Sequence, residues 1–176
     1  MKYFTKLLFI LLPLIFIQND GISQNIKSYS NEFLAIGVGA RSHGMGGAMV
    51  ASVNDINAGY WNPAGLARMT SPFQVGAMHA EWFAGIVKYD HLSVVKQFNP
   101  EKNAYGGISI IRMGVDNIPN TLQLREPDGS INYDKITTFA VADYAMLAHY
   151  AQRLGESKWN AGGSLKIIHR SIGSFS

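Results

Sequence analysis

Between Thr138 and Arg153 the chain alternates with a period of two. Ala140, Ala142, Tyr144, Met146, Ala148 and Tyr150 fall on one set of positions, and Asp143, His149 and Arg153 on the other. Successive side chains of a strand point to opposite faces, so the run predicts one oily face and one wet face. It is also long: soluble strands average about 5–6 residues, whereas a strand that crosses a bilayer needs about 9–11. Ala145, on the face opposite Ala142, Tyr144 and Met146, is expected to tolerate a charge that those three would not.

Five such segments, bounded by Gly, Pro, Asn or Asp, are predicted at 73–81, 86–98, 103–113, 138–153 and 159–171. The fifth repeats the alternation, with Ala161, Gly163, Leu165 and Ile167 against Asn160, Ser164, Lys166 and Arg170. In the second, Lys88, Asp90 and Lys96 share a face with Leu92, Val94 and Phe98, so periodicity leaves the faces of the first three strands open. The connections after the second and fourth strands are short, whereas Gly114 to Thr137 reads as a long loop. Short turns at one end and a long loop at the other match an outer-membrane barrel, with a lipid face outside and a polar face lining the lumen. Asp143, His149, Arg153, Lys166 and Arg170 are the candidate lumen-facing polar residues. Tyr144 and Tyr150 fit an interfacial aromatic girdle.

The N-terminus supplies a route to such a membrane. Lys2 and Lys6 precede an apolar run from Leu7 to Ile17, eleven residues against the roughly 20 that a spanning helix needs. This reads as a secretory signal, with Gly21 and Ser23 placing the cut near Ser23/Gln24. The expected organisation is a signal peptide at 1–23, a Gly-rich plug or hatch with short helical turns at 24–70, and membrane strands at 71–176. The chain has no cysteine, so neither disulfides nor thiolate metal sites contribute. Charged residues make up only 15% and the formal net charge is +3, which offers no basic face for nucleic acid.

Within the hatch, Asn31 to Arg41, then Gly44-Met45-Gly46-Gly47-Ala48, then Tyr60-Trp61-Asn62-Pro63-Ala64-Gly65-Leu66-Ala67 closely resemble the start of the PorV/PorQ family. A looser likeness continues through Ile118-Pro119-Asn120-Thr121 and Asp128-Gly129. The family consists of outer-membrane β-barrels of Bacteroidetes-like bacteria, related in architecture to FadL fatty-acid channels. The resemblance implies an all-β fold: the N-terminal part of an antiparallel transmembrane β-barrel, incomplete at about five strands where FadL-like barrels have fourteen. It marks Gly39, Arg41, Gly44, Gly46, Gly47, Trp61, Asn62, Pro63, Ala64 and Gly65 as the hatch motif. It also implies a non-enzymatic role in type IX secretion or surface attachment of cargo, with outer-membrane lipid, secretion-system proteins and cargo C-terminal sorting domains as partners. FadL-like transport of hydrophobic small molecules is the alternative, and a secreted soluble β-domain with a binding role is the second.

No enzyme chemistry or cofactor is expected. The glycines lack the G-x-G-x-x-G or Walker spacing that would cradle a phosphate. Asn54-Asp55-Ile56-Asn57 lacks the bidentate Glu of a calcium loop and reads as a turn or helix cap. His43, His79, His91, His149 and His169 show no close metal-ligand spacing, and Ser93 and Ser164 sit in no nucleophile elbow. For His149 the sharper reading is a ligand contact with Asp143 and Arg153, the plainer one a solvated pore wall. Asn62, Pro63 and Gly65 are expected to pin the hatch, with the Asn62 side chain bonded to its own backbone two residues on.

Overall fold

The computed structural model describes residues 30–173; the signal segment and its expected cut lie outside them. The chain divides into two units, Met1–Glu32 and Phe33–Ser176, and the architecture below is that of the second. It is an all-β arrangement with a few short helical turns. Strands β1 (Phe73–Trp82), β2 (Val87–Asn99), β3 (Ala104–Asn120), β4 (Thr137–Arg153) and β5 (Asn160–Ile172) pair antiparallel in chain order, β1-β2-β3-β4-β5. They contain 10, 13, 17, 17 and 13 residues, all at or beyond the length that spans a bilayer.

One boundary differs substantially from expectation. Residues after Met113 carry Gly114, Asp116, Asn117 and Pro119, which together resemble a loop, yet β3 runs on to Asn120. A bulge between Val115 and Ile118 absorbs the irregularity. Asn117 takes the left-handed conformation there, with φ 57°, a backbone that Asn tolerates better than most residues. Beyond the bulge, Ile118, Pro119 and Asn120 pair with Phe139, Thr138 and Thr137. The long loop therefore shrinks to residues 121–136, stitched by its own bridge between Arg125 and Ile131.

The N-terminal segment folds across one face of the sheet. Helix α1 (Ala40–Gly44), helix α2 (Ala58–Trp61) and a 3-10 turn (Pro63–Arg68) are its regular pieces. Pro63 starts the 3-10 turn, where its fixed φ is preorganised and no backbone N–H is needed. Two apolar clusters lie beneath the segment. Met49, Val53, Ala58, Leu66, Ala67 and Met69 pack with Val95, Tyr105 and Ala151; Phe33 and Val38 pack with Tyr89, Ile111, Ala145 and Leu147.

Register assigns the faces that periodicity left open. On β4, Ala145, Leu147, His149 and Ala151 point toward the N-terminal segment and are buried, whereas Tyr144, Met146, Ala148 and Tyr150 point away and are exposed. The expectation that Ala145 would accept a charge is corrected: it is 1% exposed, under the segment, with no room for an arginine. Across the sheet the outward residues form two wholly apolar rows. One is Val75, Val94, Ile108, Ala148 and Leu165; the next is Ala77, Leu92, Ile110, Met146 and Ile167.

Candidate functional site

The face between the N-terminal segment and the sheet carries buried polar groups among its apolar clusters, and its geometry begins with small residues. Gly59 in α2 lies against the His149 ring, where an added Cβ would stand 2.5 Å from Cδ2. Gly162 on β5 lies under Pro63 and Ala64, with a Cβ position 2.5 Å from the Ala64 nitrogen. Gly65 faces the Val53 carbonyl oxygen at a Cβ distance of 2.4 Å, so a side chain there is obstructed as expected. These approaches bring backbone close enough to the sheet for hydrogen bonds between segments far apart in sequence.

One continuous chain of such bonds crosses four strands. Ser93 on β2 and Ser109 on β3 are 2.8 Å apart at their hydroxyls, and Ser109 Oγ lies 2.8 Å from His149 Nε2 on β4. His149 Nδ1 is 2.8 Å from Ser164 Oγ on β5, and Ser164 donates to the Gly59 carbonyl at 2.9 Å. With the Ser164 proton committed to Gly59, Ser164 accepts from Nδ1–H, and Ser109 links Nε2 to Ser93, to which it donates. His149 thus ties the N-terminal segment to the sheet, and at 5% exposure it is not a wall residue open to solvent. Nor does it meet Asp143 or Arg153. The Ser109–His149 distance would suit a nucleophile and its base, but both groups are buried and already bonded within this chain.

The remaining candidate polar residues on this face act locally. Asp143 accepts two bonds from its cross-strand partner Arg170, from Nε at 2.6 Å and Nη2 at 3.0 Å. Lys166 places its ammonium 5.8 Å from the centre of the Tyr60 ring, within cation–π range. Arg153 is exposed, and its backbone N–H donates to the Lys102 carbonyl at 2.9 Å. Tyr60 donates its hydroxyl to the Leu34 carbonyl, and burial pushes that phenol above its ordinary range. Two inward side-chain atoms, Tyr89 Oη and His91 Nε2, are buried with no hydrogen-bond partner.

The hatch motif divides between residues that hold the segment together and residues on its surface. Gly39, at φ 93°, turns its N–H onto Met78 Sδ at 3.2 Å, and a Cβ there would meet the Asn57 side chain at 3.0 Å. Trp61 donates its indole N–H to the Val38 carbonyl at 3.0 Å, and its ring fills the space over Gly37 where a Cβ would lie 2.6 Å away. Gly47 lies near the same ring, at a Cβ distance of 3.7 Å. Arg41, Gly44 and Gly46 are exposed, and a Cβ on either glycine would meet nothing within 4 Å. Ala64 is half-buried over Gly162.

Asn62 does not bond its own backbone through its side chain. Its side-chain amide donates across the segment to the Val50 carbonyl at 2.9 Å, while its backbone carbonyl accepts from Gly65 N–H at 2.8 Å. Asp55, once weighed for calcium, accepts the Asn57 N–H at 2.8 Å in an Asx turn. Arg68 escaped the sequence reading. Its Nη2 donates to the carbonyls of Ala51 and Val53, at 2.9 and 2.7 Å, closing the loop above the 3-10 turn. Only its place just after the Trp-Asn-Pro-Ala-Gly-Leu-Ala run hinted at a role.

Comparison with protein-family models, with curated proteins and with solved structures found no match.

Proposed function

We propose that this chain forms part of the wall of an outer-membrane β-barrel, with its N-terminal segment as a hatch on the inner side, and that it serves protein secretion or surface attachment in the manner of the PorV/PorQ family. One observation supports the membrane reading: the face left bare presents two wholly apolar rows across all five strands, although the covered face already buries its own apolar clusters beside Ser93, Ser109, His91 and His149. A soluble sheet turns polar residues to its uncovered face, whereas a membrane strand turns apolar ones outward. The short lead-in signal and strands of up to 17 residues agree with that reading.

The secretion role rests on the resemblance of 31–67, of whose motif residues Gly39, Trp61, Asn62 and Gly65 make contacts within the segment. In this role the hatch closes the inner side and the 121–136 loop meets a protein partner. That loop is ordered by the Glu126–Lys135 pair at 2.7 Å and leaves Leu122, Ile131 and Tyr133 exposed. The test is removal of the gene from its host. Cargo bearing a C-terminal sorting domain should then accumulate in the periplasm, with recovery on re-expression; unchanged surface display of cargo would overturn the secretion role.

A further inference from the structure

We infer that the bilayer is thinned beside this sheet, its hydrocarbon confined at β2 to about two outward side chains, Val94 and Leu92, between Lys96 and Asp90; the inference rests on the membrane reading above. Charge flanks the two apolar rows at β2, with Lys96 on one side and Asp90, ion-paired with His79 and Arg112, on the other. On one side the outward row is Phe73, Lys96, Gly106, Tyr150 and Gly163, and on the other it is His79, Asp90, Arg112, Tyr144 and His169. Lys96 and Asp90 stand six residues apart on β2, about 20 Å along the strand. At the 35–45° tilt of barrel strands this is about 14–16 Å along the membrane normal, against a usual apolar band of about 25 Å.

The two boundaries differ in how far they can yield. Lys96 has a long stem and can carry its ammonium toward the headgroups, with Phe73, Phe98 and Tyr150 exposed around it as an aromatic rim. Asp90 cannot move in this way. His79 Nδ1 holds one of its oxygens at 2.6 Å and Arg112 Nη1 the other at 3.5 Å. Arg112 reaches on to Asp116 at 3.6 Å, and Lys88 pairs with the same carboxylate at 3.0 Å. This outward cluster carries both signs, which suits it to the phosphate and amine layer of a lipid surface. A bilayer of ordinary thickness would submerge this fixed cluster even with the lysine extended, and thinning of the lipid keeps it among the headgroups.

The chain has no cysteine, so single-cysteine variants accept an environment-sensitive fluorophore without background. Ile110→Cys and Met146→Cys sample the apolar rows; Lys96→Cys and His169→Cys sample the two boundary rows, and neither boundary residue belongs to the ion cluster. Labelled protein is assembled in phosphatidylcholine vesicles with eighteen-carbon chains and exposed to lipid brominated mid-chain, to a headgroup spin label and to aqueous iodide. The expected result is loss of emission with brominated lipid at 110 and 146, and with the headgroup quencher at both 96 and 169. Loss with brominated lipid at 96 or 169 would overturn the thinning while leaving the membrane reading intact. Iodide quenching at 110 and 146 would overturn the membrane reading itself. Protection of those two positions from all three quenchers would mean that protein covers the face, and would overturn both.

Discussion

Gly162 and Gly163 are neighbours on β5, and only the first lies beneath the N-terminal segment. A Cβ at 162 would press on backbone atoms of Pro63 and Ala64, whereas a Cβ at 163 meets nothing within 4 Å. Gly162→Ala should therefore weaken hatch docking by about 1–3 kcal/mol, the cost of overpacking, and Gly163→Ala should leave it unchanged. Limited proteolysis of the segment against denaturant reads the difference; equal protection in both variants would contradict the close approach. The hydrogen-bonded chain makes a second demand. Ser109→Ala leaves His149 Nε2 buried without its partner, at a cost of about 1–3 kcal/mol. In a double-mutant cycle with His149→Leu the losses should fall short of additive, and strict additivity would mean the two side chains act independently. None of this was readable from the residue types. The face of residue 149 followed from alternation, but its partners lie 40 and 15 positions away in sequence, and the Ser164–Gly59 link spans 105.

At the scale of elements, the turn residues that bound them placed all five strands, while alternation assigned faces only to the last two. The turn residues failed at 114–120, where a bulge lets Asp116, Asn117 and Pro119 sit inside a strand while carrying the composition of a turn. Alternation also misjudged Ala145: it separates two faces but cannot say that the N-terminal segment covers one of them. Met146→Arg should cost about 2–4 kcal/mol if its level is near the bilayer midplane. Ala145→Arg should prevent hatch docking outright, since a buried unpaired charge has no partner there. Heat-modifiability gels of the two variants beside the parent separate these effects. The 121–136 loop responds to pH. Lys135 and Asn132 hold the Glu126 carboxyl below its ordinary range, and Ser130 does the same for Asp128. Their stabilisation is present at neutral pH and is lost as the pH falls through and below the ordinary carboxylate range. Amide exchange in the loop should accelerate there while exchange in β3 and β4 stays slow; a loop that remains protected in acid would remove these pairs as its stabilisers.

For the whole molecule, the account comes down to which medium meets the outward rows Val75–Leu165 and Ala77–Ile167. Every other feature takes its meaning from that answer: the polar seam under the hatch, the strand lengths and the ion-paired row at His79, Asp90 and Arg112. The most direct measurement is fractionation of the host followed by an alkaline carbonate wash. The protein should sediment with the outer membrane, resist the wash and dissolve only in detergent. Recovery of folded protein in the periplasm or culture medium without detergent would contradict the claim that its bare face is a lipid face.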